Sequence, residues 1–370
     1  MHFKSPPGIG RLFPAHAVLW AVSLVCAGAS PWRCESGFEW VAASDVRILA
    51  AQAGVGPQAG FSGYGATVAM EEMRVDYLPH SGVDTVGVPV NRSETRLSGG
   101  VEGSHPVEAG VLTFGVDLRE GYSNFRALWI DEYYRQQFGR FDAYTEARPR
   151  AWGGTVGFSR PPAWNRYARM DVSYAYSRER ISAPYERVIG PAGGLIRGDD
   201  RINTNQVRAG IEVPAGNRFR WRNDVYAIHV TDRAWRYAWE GRLNWNPAGE
   251  WVVRNRFFYA RESNLWAYGL QFGLEYTAAQ WWTIGIAGRY YSDNGQTEEA
   301  LAVVSMAAPP LRTRQVLVTL RFEGSKWAFQ AGAGPYRTRY ARPDAPIAPF
   351  LHLYRDRNWI RSNLAVQRKF

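Results

Sequence analysis

The sequence predicts an all-β fold, a single antiparallel sheet of about sixteen strands, within a range of roughly 14 to 18, closed into a transmembrane barrel. Three observations point there. Apolar residues recur at every second position in many segments, as in Leu112, Phe114, Val116, Leu118 and in Trp266, Tyr268, Leu270, Phe272, Leu274, Tyr276, with small or polar residues between; a period of two marks strands. The segments run through about 10 to 13 residues, far longer than strands of a soluble sandwich and suited to crossing a bilayer at a tilt. Beyond the N-terminal region no stretch approaches the roughly 18 apolar residues of a spanning helix. A chain of this pattern therefore meets hydrocarbon as a closed sheet, in which every backbone group is paired.

At the N-terminus, Lys4 and Arg11 precede an apolar run from Ala17 to Ala27, and the small residues Gly28 and Ala29 follow. This is the pattern of a cleavable secretory signal peptide over 1–29, and the run is too short to span a bilayer. Residues 30–61 are poorly patterned and read as an N-terminal extension, leaving 62–370 for the barrel. Its strands are expected near 63–75, 93–104, 110–120, 125–135, 150–160, 168–180, 202–213, 218–230, 234–246, 250–262, 265–277, 281–292, 313–323, 326–336, 347–355 and 358–370. The segment 125–135 is apolar on both faces and fits a short helix or an inserted loop as well as a strand.

Turns alternate in length, as such barrels require. Those near 161–166, 213–218, 246–250, 277–280 and 323–326 are short, whereas those around 78–92, 181–201, 293–312 and 337–346 are long. With these sixteen strands the chain would finish at the end opposite the short turns, although chains of this kind finish beside them. One strand or turn is therefore misplaced, near 347–358 or at the N-terminal edge.

The stretch "RAWRYAWEGRLNWN", residues 233–246, shows what each face meets. Trp235, Tyr237, Trp239, Leu243 and Trp245 share one face, while Arg236, Glu240 and Arg242 share the other. A charge aimed at the bilayer centre costs about 2–4 kcal/mol, so the aromatic face takes the lipid. Trp235 and Trp245 are ten residues apart, which projects to about 25 Å at the usual tilt, the height of the apolar band. Trp235, Trp245, Trp266, Tyr276, Trp282 and Phe370 are accordingly expected at the membrane interfaces, where amphipathic rings are favoured.

The inner face is then expected to carry Arg169, Arg220, Arg222, Arg236, Arg242, Arg254, Arg256, Arg289 and Arg321, with Asp171, Asp224, Glu240 and Glu275 among them. Lys and Arg total 44 against 34 Asp and Glu, yet only Lys4, Lys326 and Lys369 are lysines. Enclosed cations favour the planar guanidinium, although high genomic GC content gives the same bias. Basic residues alternating with aromatics over many strands exclude a nucleic-acid patch.

The C-terminal "NWIRSNLAVQRKF" places Ile360, Leu364, Val366 and the final Phe370 in one alternating register. This resembles the C-terminal targeting strand of bacterial outer-membrane β-barrel proteins, a porin-like superfamily, with Ser362 and Arg368 departing from its pattern. The resemblance covers 62–370 at the level of architecture and indicates no closer family. It implies the bacterial outer membrane, contact with its lipid and lipopolysaccharide, recognition of the last strand by the barrel assembly machinery, and in some relatives a homo-oligomer.

Nothing in the chain indicates catalysis. His80, His105, His229 and His352 are scattered, and no zinc-protease, nucleophile-elbow or phosphate-loop motif occurs. His229 reads as structural or lumen-facing. The two cysteines, Cys26 and Cys34, build no metal cluster. Asp199-Asp200 and Glu298-Glu299 are paired acids in loops, best read as solvated. No enzyme, metal or cofactor is expected. Two readings of the lumen remain. Arginines in a water-filled pore concentrate small anionic solutes for passive diffusion, with export of an acidic polysaccharide as a specialised form. Alternatively they pair with acids into a salt-bridged interior, and the barrel is closed, with a structural or surface-binding role.

Overall fold

The computed structural model describes residues 32–57, 63–77, 89–138, 149–180, 186–189, 194–197, 201–231, 233–279, 281–295, 309–341 and 354–369. The signal region, Phe370, both acidic pairs, His80 and His352 lie outside them.

The alternating segments form β1 (Trp32–Ala42), β2 (Val46–Pro57), β3 (Gly63–Tyr77), β4 (Val90–Val107), β5 (Gly110–Glu120), β6 (Arg150–Arg160) and β7 (Arg169–Arg180). After two short strands, β8 (Glu186–Ile189) and β9 (Gly194–Arg197), the series resumes with β10 (Arg201–Ala215), β11 (Phe219–Val230), β12 (Arg236–Ala248), β13 (Trp251–Glu262) and β14 (Leu265–Ala279). It ends with β15 (Trp282–Asp293), β16 (Leu311–Glu323), β17 (Trp327–Tyr340) and β18 (Arg357–Lys369). All but β8 and β9 pair with their neighbours in one closed antiparallel barrel of sixteen strands, completed by β1 against β18. The β8–β9 hairpin is a separate two-stranded sheet.

The expected strand number is right for partly compensating reasons. Within the expected extension at 30–61, residues 32–57 instead form β1 and β2, full members of the barrel. Their alternation is muted because both faces of β2 are rich in small residues. The segment at 125–135 is a helix, α1 (Phe125–Phe138), and not a strand. The strand expected at 347–355 falls largely outside the described residues, and the closing strand begins at Arg357. With two strands gained at the N-terminus, β1 starts and β18 finishes at the same end as the short turns. This removes the parity conflict.

One end of the barrel carries the short links 108–109, 161–168, 216–218, 249–250, 280–281 and 324–326, with the start of β1 and the end of β18. The other carries the long connections 78–89, 121–149, 181–200, 294–310 and 341–356, besides brief ones at 43–45 and 263–264. The outer face is apolar over the middle of the wall: Val116, Leu118, Val318 and Ile360 are each more than half exposed. Such a belt is stable only against hydrocarbon.

The connection from β5 to β6 turns into the barrel. Gly121 makes the bend at φ +106°, where a Cβ would sit 2.9 Å from Arg96 Cα, and its N–H donates to Pro149 O at 2.8 Å, closing the base of the excursion. Asn124 then caps α1, its Oδ1 accepting from the Ala127 N–H at 3.0 Å.

Candidate functional site

Register fixes which residues share the inner wall. From β10 to β13, Arg208, Arg222, Asp224, Glu240, Arg242 and Arg256 lie on one face. They form two ion-pair clusters, one around Asp224 and one around Glu240. Arg222 donates to Asp224 at 2.8 Å and to Asp171 on β7 at 2.9 Å, and Arg208 donates to Asp224 at 2.8 Å. Glu240 accepts from Arg242 and, at 2.8 Å, from Arg256. Gly210 makes room for this knot: a Cβ there would collide with the Asp224 carboxylate and come within 2.9 Å of Asp171 Oδ2.

The remaining expected lumen residues occupy the same face, in different states. Arg254 chelates Glu275 at 2.8 and 3.0 Å, Arg321 pairs with Glu323 at 2.7 Å, and Arg220 reaches Glu212 at 3.4 Å. Arg169 stands opposite Glu212 in register, and Arg289 borders a cavity with Arg256. Arg236 is different: it is 4% exposed and clamped by Glu262 at 2.7 Å, so it braces the wall and does not front water. Asp224 and Glu240 are likewise buried. His229 sits on the outer face against Trp235, ring centroids 5.0 Å apart, and not in the lumen.

Sequence reasoning missed the opposite wall. On β1, β3, β4 and β5 the inner face presents Glu35, Glu39, Glu71, Glu94, Glu102 and Asp117, joined by Asp171 and Glu179 on β7. Against them stand Arg92, Arg96, Arg119 and Arg169. Among the described residues, β1–β7 are thus predominantly acidic inside and β10–β18 predominantly basic. The excess of guanidiniums inferred from a subset of strands is not a property of the whole inner face.

Charge is only part of the contrast. Between its acids the β2–β7 wall is lined by small side chains, among them Gly54, Gly56, Thr67, Ser98, Gly100 and Ser177, around a cavity of about 1020 Å³. A second cavity of about 540 Å³ shares Gln52, Ala69, Arg96 and Ser98 with it and reaches Arg256, Arg289 and Arg361 across the lumen. The two cavities thus adjoin between the acidic and basic walls.

At the long-loop end α1 occupies the inside of the barrel. Leu128 and Trp129 are buried in a cluster with the inward residues Val46, Met73, Val75, Tyr77 and Trp359. Burying a leucine of this kind is worth about 1.5–3 kcal/mol. Polar anchors fix the helix: Arg92 on β4 donates to Asp131 at 2.7 Å and Glu132 at 3.3 Å, and the Tyr122 hydroxyl donates to Asp131 at 2.7 Å. Arg357 lies over the Phe125 ring at 5.6 Å.

Arg357 also chelates Asp45 in the β1–β2 turn at 2.8 to 3.1 Å, with Arg355 at 2.9 Å. Burial alone would raise the Asp45 carboxyl, but the two guanidiniums outweigh it and hold the pKa below its ordinary 3.8. A depressed carboxylate contributes stability above its unfolded pKa and loses it as pH falls through the folded one. The turn should therefore stay protected through neutral pH and loosen only below about pH 4; hydrogen exchange at 43–46 as a function of pH checks this, and protection lost near pH 6 would contradict it.

Aromatic residues mark both edges of the outer belt. Near the short-turn end Phe219 stacks on Trp245 at 5.9 Å, Trp251 meets Tyr276 at 4.7 Å and Trp282 meets Phe322 at 5.0 Å. Near the other end are Trp235, Trp266 stacked on Tyr268 at 5.6 Å, and Trp152 beside Tyr176 at 5.3 Å. Arg368, which breaks the expected terminal pattern, lies over the Trp327 ring at 5.2 Å.

The sequence matches no protein-family model, and no curated protein matches it. Its structure does match solved ones. CdiB from Acinetobacter baumannii superposes with a TM-score of 0.57 at 10% identity, over 92% of this chain and 60% of that one, so the chain spans less than two thirds of that protein's length. The fold is that of outer-membrane β-barrels. A bacterial polysaccharide outer membrane secretin gives a TM-score of 0.48 at 8% identity, over 92% of this chain and 98% of that one. For the toluene transporter TodX from Pseudomonas putida the values are 0.44, 10%, 93% and 90%. At such identities the likeness to CdiB shows a shared fold and carries no role or ligand to this chain.

Proposed function

We infer that this outer-membrane barrel is a channel for passive diffusion of small hydrophilic solutes, narrowed at its long-loop mouth by α1 and performing no covalent chemistry. The observation that carries this reading is the pair of adjoining cavities of about 1020 and 540 Å³, bounded by glycine, alanine, serine and threonine on one wall. A closed structural barrel has no reason to leave one wall bare, because packing fills interiors to high density. Small side chains keep the passage open, and the charged walls set a field across it. Opposed fields of this kind orient charged solutes as they pass. The anionic solute expected from the arginines finds its contacts on the β13–β16 side, where Arg254, Arg256 and Arg289 retain exposed surface.

Planar-bilayer recording of the purified protein tests this. Steady conductance is expected, and Gly56→Trp should lower it severalfold by filling the cavity; a Cβ at Gly56 meets nothing closer than Gly65 Cα at 3.8 Å, so the substitution fits locally. Paired Arg254→Glu and Arg256→Glu changes should move the reversal potential toward cation preference. An unchanged conductance in the tryptophan variant would sink the proposed path.

A second reading has its own support. The apolar cluster around α1 is the kind of contact that holds a mouth shut. In that case the barrel is a closed structural or surface-binding element: the native protein would be electrically silent, and only variants that release α1 would conduct. Export of an acidic polysaccharide would require α1 to leave the mouth.

A further inference from the structure

The basic side of the lumen carries polar groups that the ion pairs do not use. Register places Arg256 on β13, Gln271 on β14, Arg289 on β15 and Gln315 on β16 directly side by side, so guanidinium and amide alternate along one row of the inner wall. Neighbouring strands are about 4.8 Å apart, and the row runs about 14 Å around the wall. It borders the cavity of about 540 Å³, as does Asn363 on β18. One step nearer the short-turn end, Ala287 and Leu317 face each other and give that cavity an apolar patch.

The amides are the part that calls for a ligand. Gln315 is 8% exposed, and neither it nor Gln271 has a hydrogen-bond partner among the described residues. The Asn363 Oδ1 is also buried without a partner. An amide presents two donor hydrogens and an acceptor oxygen, and a buried one left unpaired is unfavourable. A carboxylate or phosphate alone satisfies only the donors, whereas a hydroxyl both donates and accepts. Arg289, exposed between the two glutamines, supplies the complementary preference for an anion. The carboxylates bordering the cavity do not oppose this, because Glu39 is paired with Arg361 and Glu71 with Arg96.

We propose that this row binds a sugar acid, with its carboxylate on Arg289, its hydroxyls on the flanking Gln271 and Gln315, and a C–H face of its ring over Leu317. Guanidinium alone would accept any small anion; the amides select one that also donates hydrogen bonds, and the apolar patch selects one with a ring. A volume of about 540 Å³ is that of a small-molecule site. The solute reaches the row through the lumen, so the assignment rests on the channel reading and narrows its anion to one bearing hydroxyls.

The test uses the full-length protein in neutral detergent, titrated calorimetrically with three probes. Glucuronate carries every feature, glucose lacks the carboxylate, and cyclohexanecarboxylate keeps ring and carboxylate but lacks the hydroxyls. Glucuronate should bind at least about tenfold more tightly than either analogue, the scale of one or two lost hydrogen bonds. Gln271→Leu and Gln315→Leu, made separately, should each weaken glucuronate severalfold and leave cyclohexanecarboxylate unchanged. Gln271 is exposed, so its variant decides the matter if Gln315→Leu does not fold. Arg289→Met should weaken both acids and spare glucose, and Gln206→Leu on β10, outside the row, should change nothing. Equal binding of glucuronate and either analogue, or native-like glucuronate binding by both glutamine variants, would overturn the assignment. Bilayer conductance keeps the two readings apart. A conducting protein that does not discriminate these probes loses the sugar-acid site and keeps the channel, whereas a silent one that binds glucuronate selectively keeps the site and loses the channel.

Discussion

Arg92→Leu should release α1 from the lumen and raise single-channel conductance severalfold. Arg92 meets Asp131 and Glu132, which are 2% and 0% exposed, and Glu132 has Arg135 as a second cation, so the loss of Arg92 falls mainly on Asp131. Removing one partner of a buried ion pair leaves uncompensated charge and costs about 3–5 kcal/mol. That is comparable with what burial of Leu128 and its neighbours contributes to docking, so the helix should spend much of its time undocked. The triple variant Arg92→Leu, Asp131→Asn, Glu132→Gln removes the three enclosed charges together, leaves Arg135, 45% exposed, to solvent, and should restore much of the docking, because neutral replacement of a buried ion-pair cluster is often nearly neutral. Conductance and protease cleavage within 125–138 report the same equilibrium. If the single variant conducts like the native protein and stays protected, α1 does not narrow the passage.

The second large effect concerns the wall itself. Asp224→Ala should destabilise the folded barrel by about 3–5 kcal/mol, read as a lower temperature for loss of the heat-resistant folded band in detergent. Asp224 is 0% exposed and accepts from both Arg208 and Arg222. Its loss leaves Arg222 to Asp171 and Glu212, and Arg208 to a 3.4 Å approach to Asp171. Glu275→Gln provides the contrast. Its pair with Arg254 is solvated, with the arginine side chain 48% exposed, and such pairs are worth only about 0–1 kcal/mol. Equal destabilisation by the two changes would mean that burial does not rank these pairs.

How much of this was legible in the sequence depends on how strongly the faces differ. Where rings alternate with charges, as from Trp235 to Trp245, the orientation of the strand was readable from the cost of placing arginine against hydrocarbon. On β2 the outer residues Leu49, Ala51, Ala53 and Val55 alternate with Ala50, Gln52, Gly54 and Gly56. There the polarity contrast almost vanishes, because an inner face that leaves space uses small residues. The strand went unread for the same reason that the proposed passage exists beside it. The acids of the opposite wall had a usable signal: Asp117 lies between Val116 and Leu118 in one of the clearest alternating segments. Glu35 and Glu39 were lost with the strand that carries them. The α1 segment looked apolar on both faces because wall residues from several strands surround it, and no periodicity reports enclosure of that kind. That Arg236 and Arg256, on facing strands, differ so much in exposure was not legible either, since it depends on which carboxylate each finds across the sheet.

The pairing of β1 with β18 matches Ser36 to Val366 and Phe38 to Leu364, more than 300 positions apart in the chain. β1, the first of the described barrel strands in chain order, thus finds one of its two partners only when the other strands have been made. Until then its free edge offers unpaired amides and carbonyls to any passing strand, a standing invitation to aggregation. Closure entropy grows only slowly with loop length, but pairing across so long a separation is intrinsically slow, so the yield of functional protein should depend on whatever shields that edge while it waits.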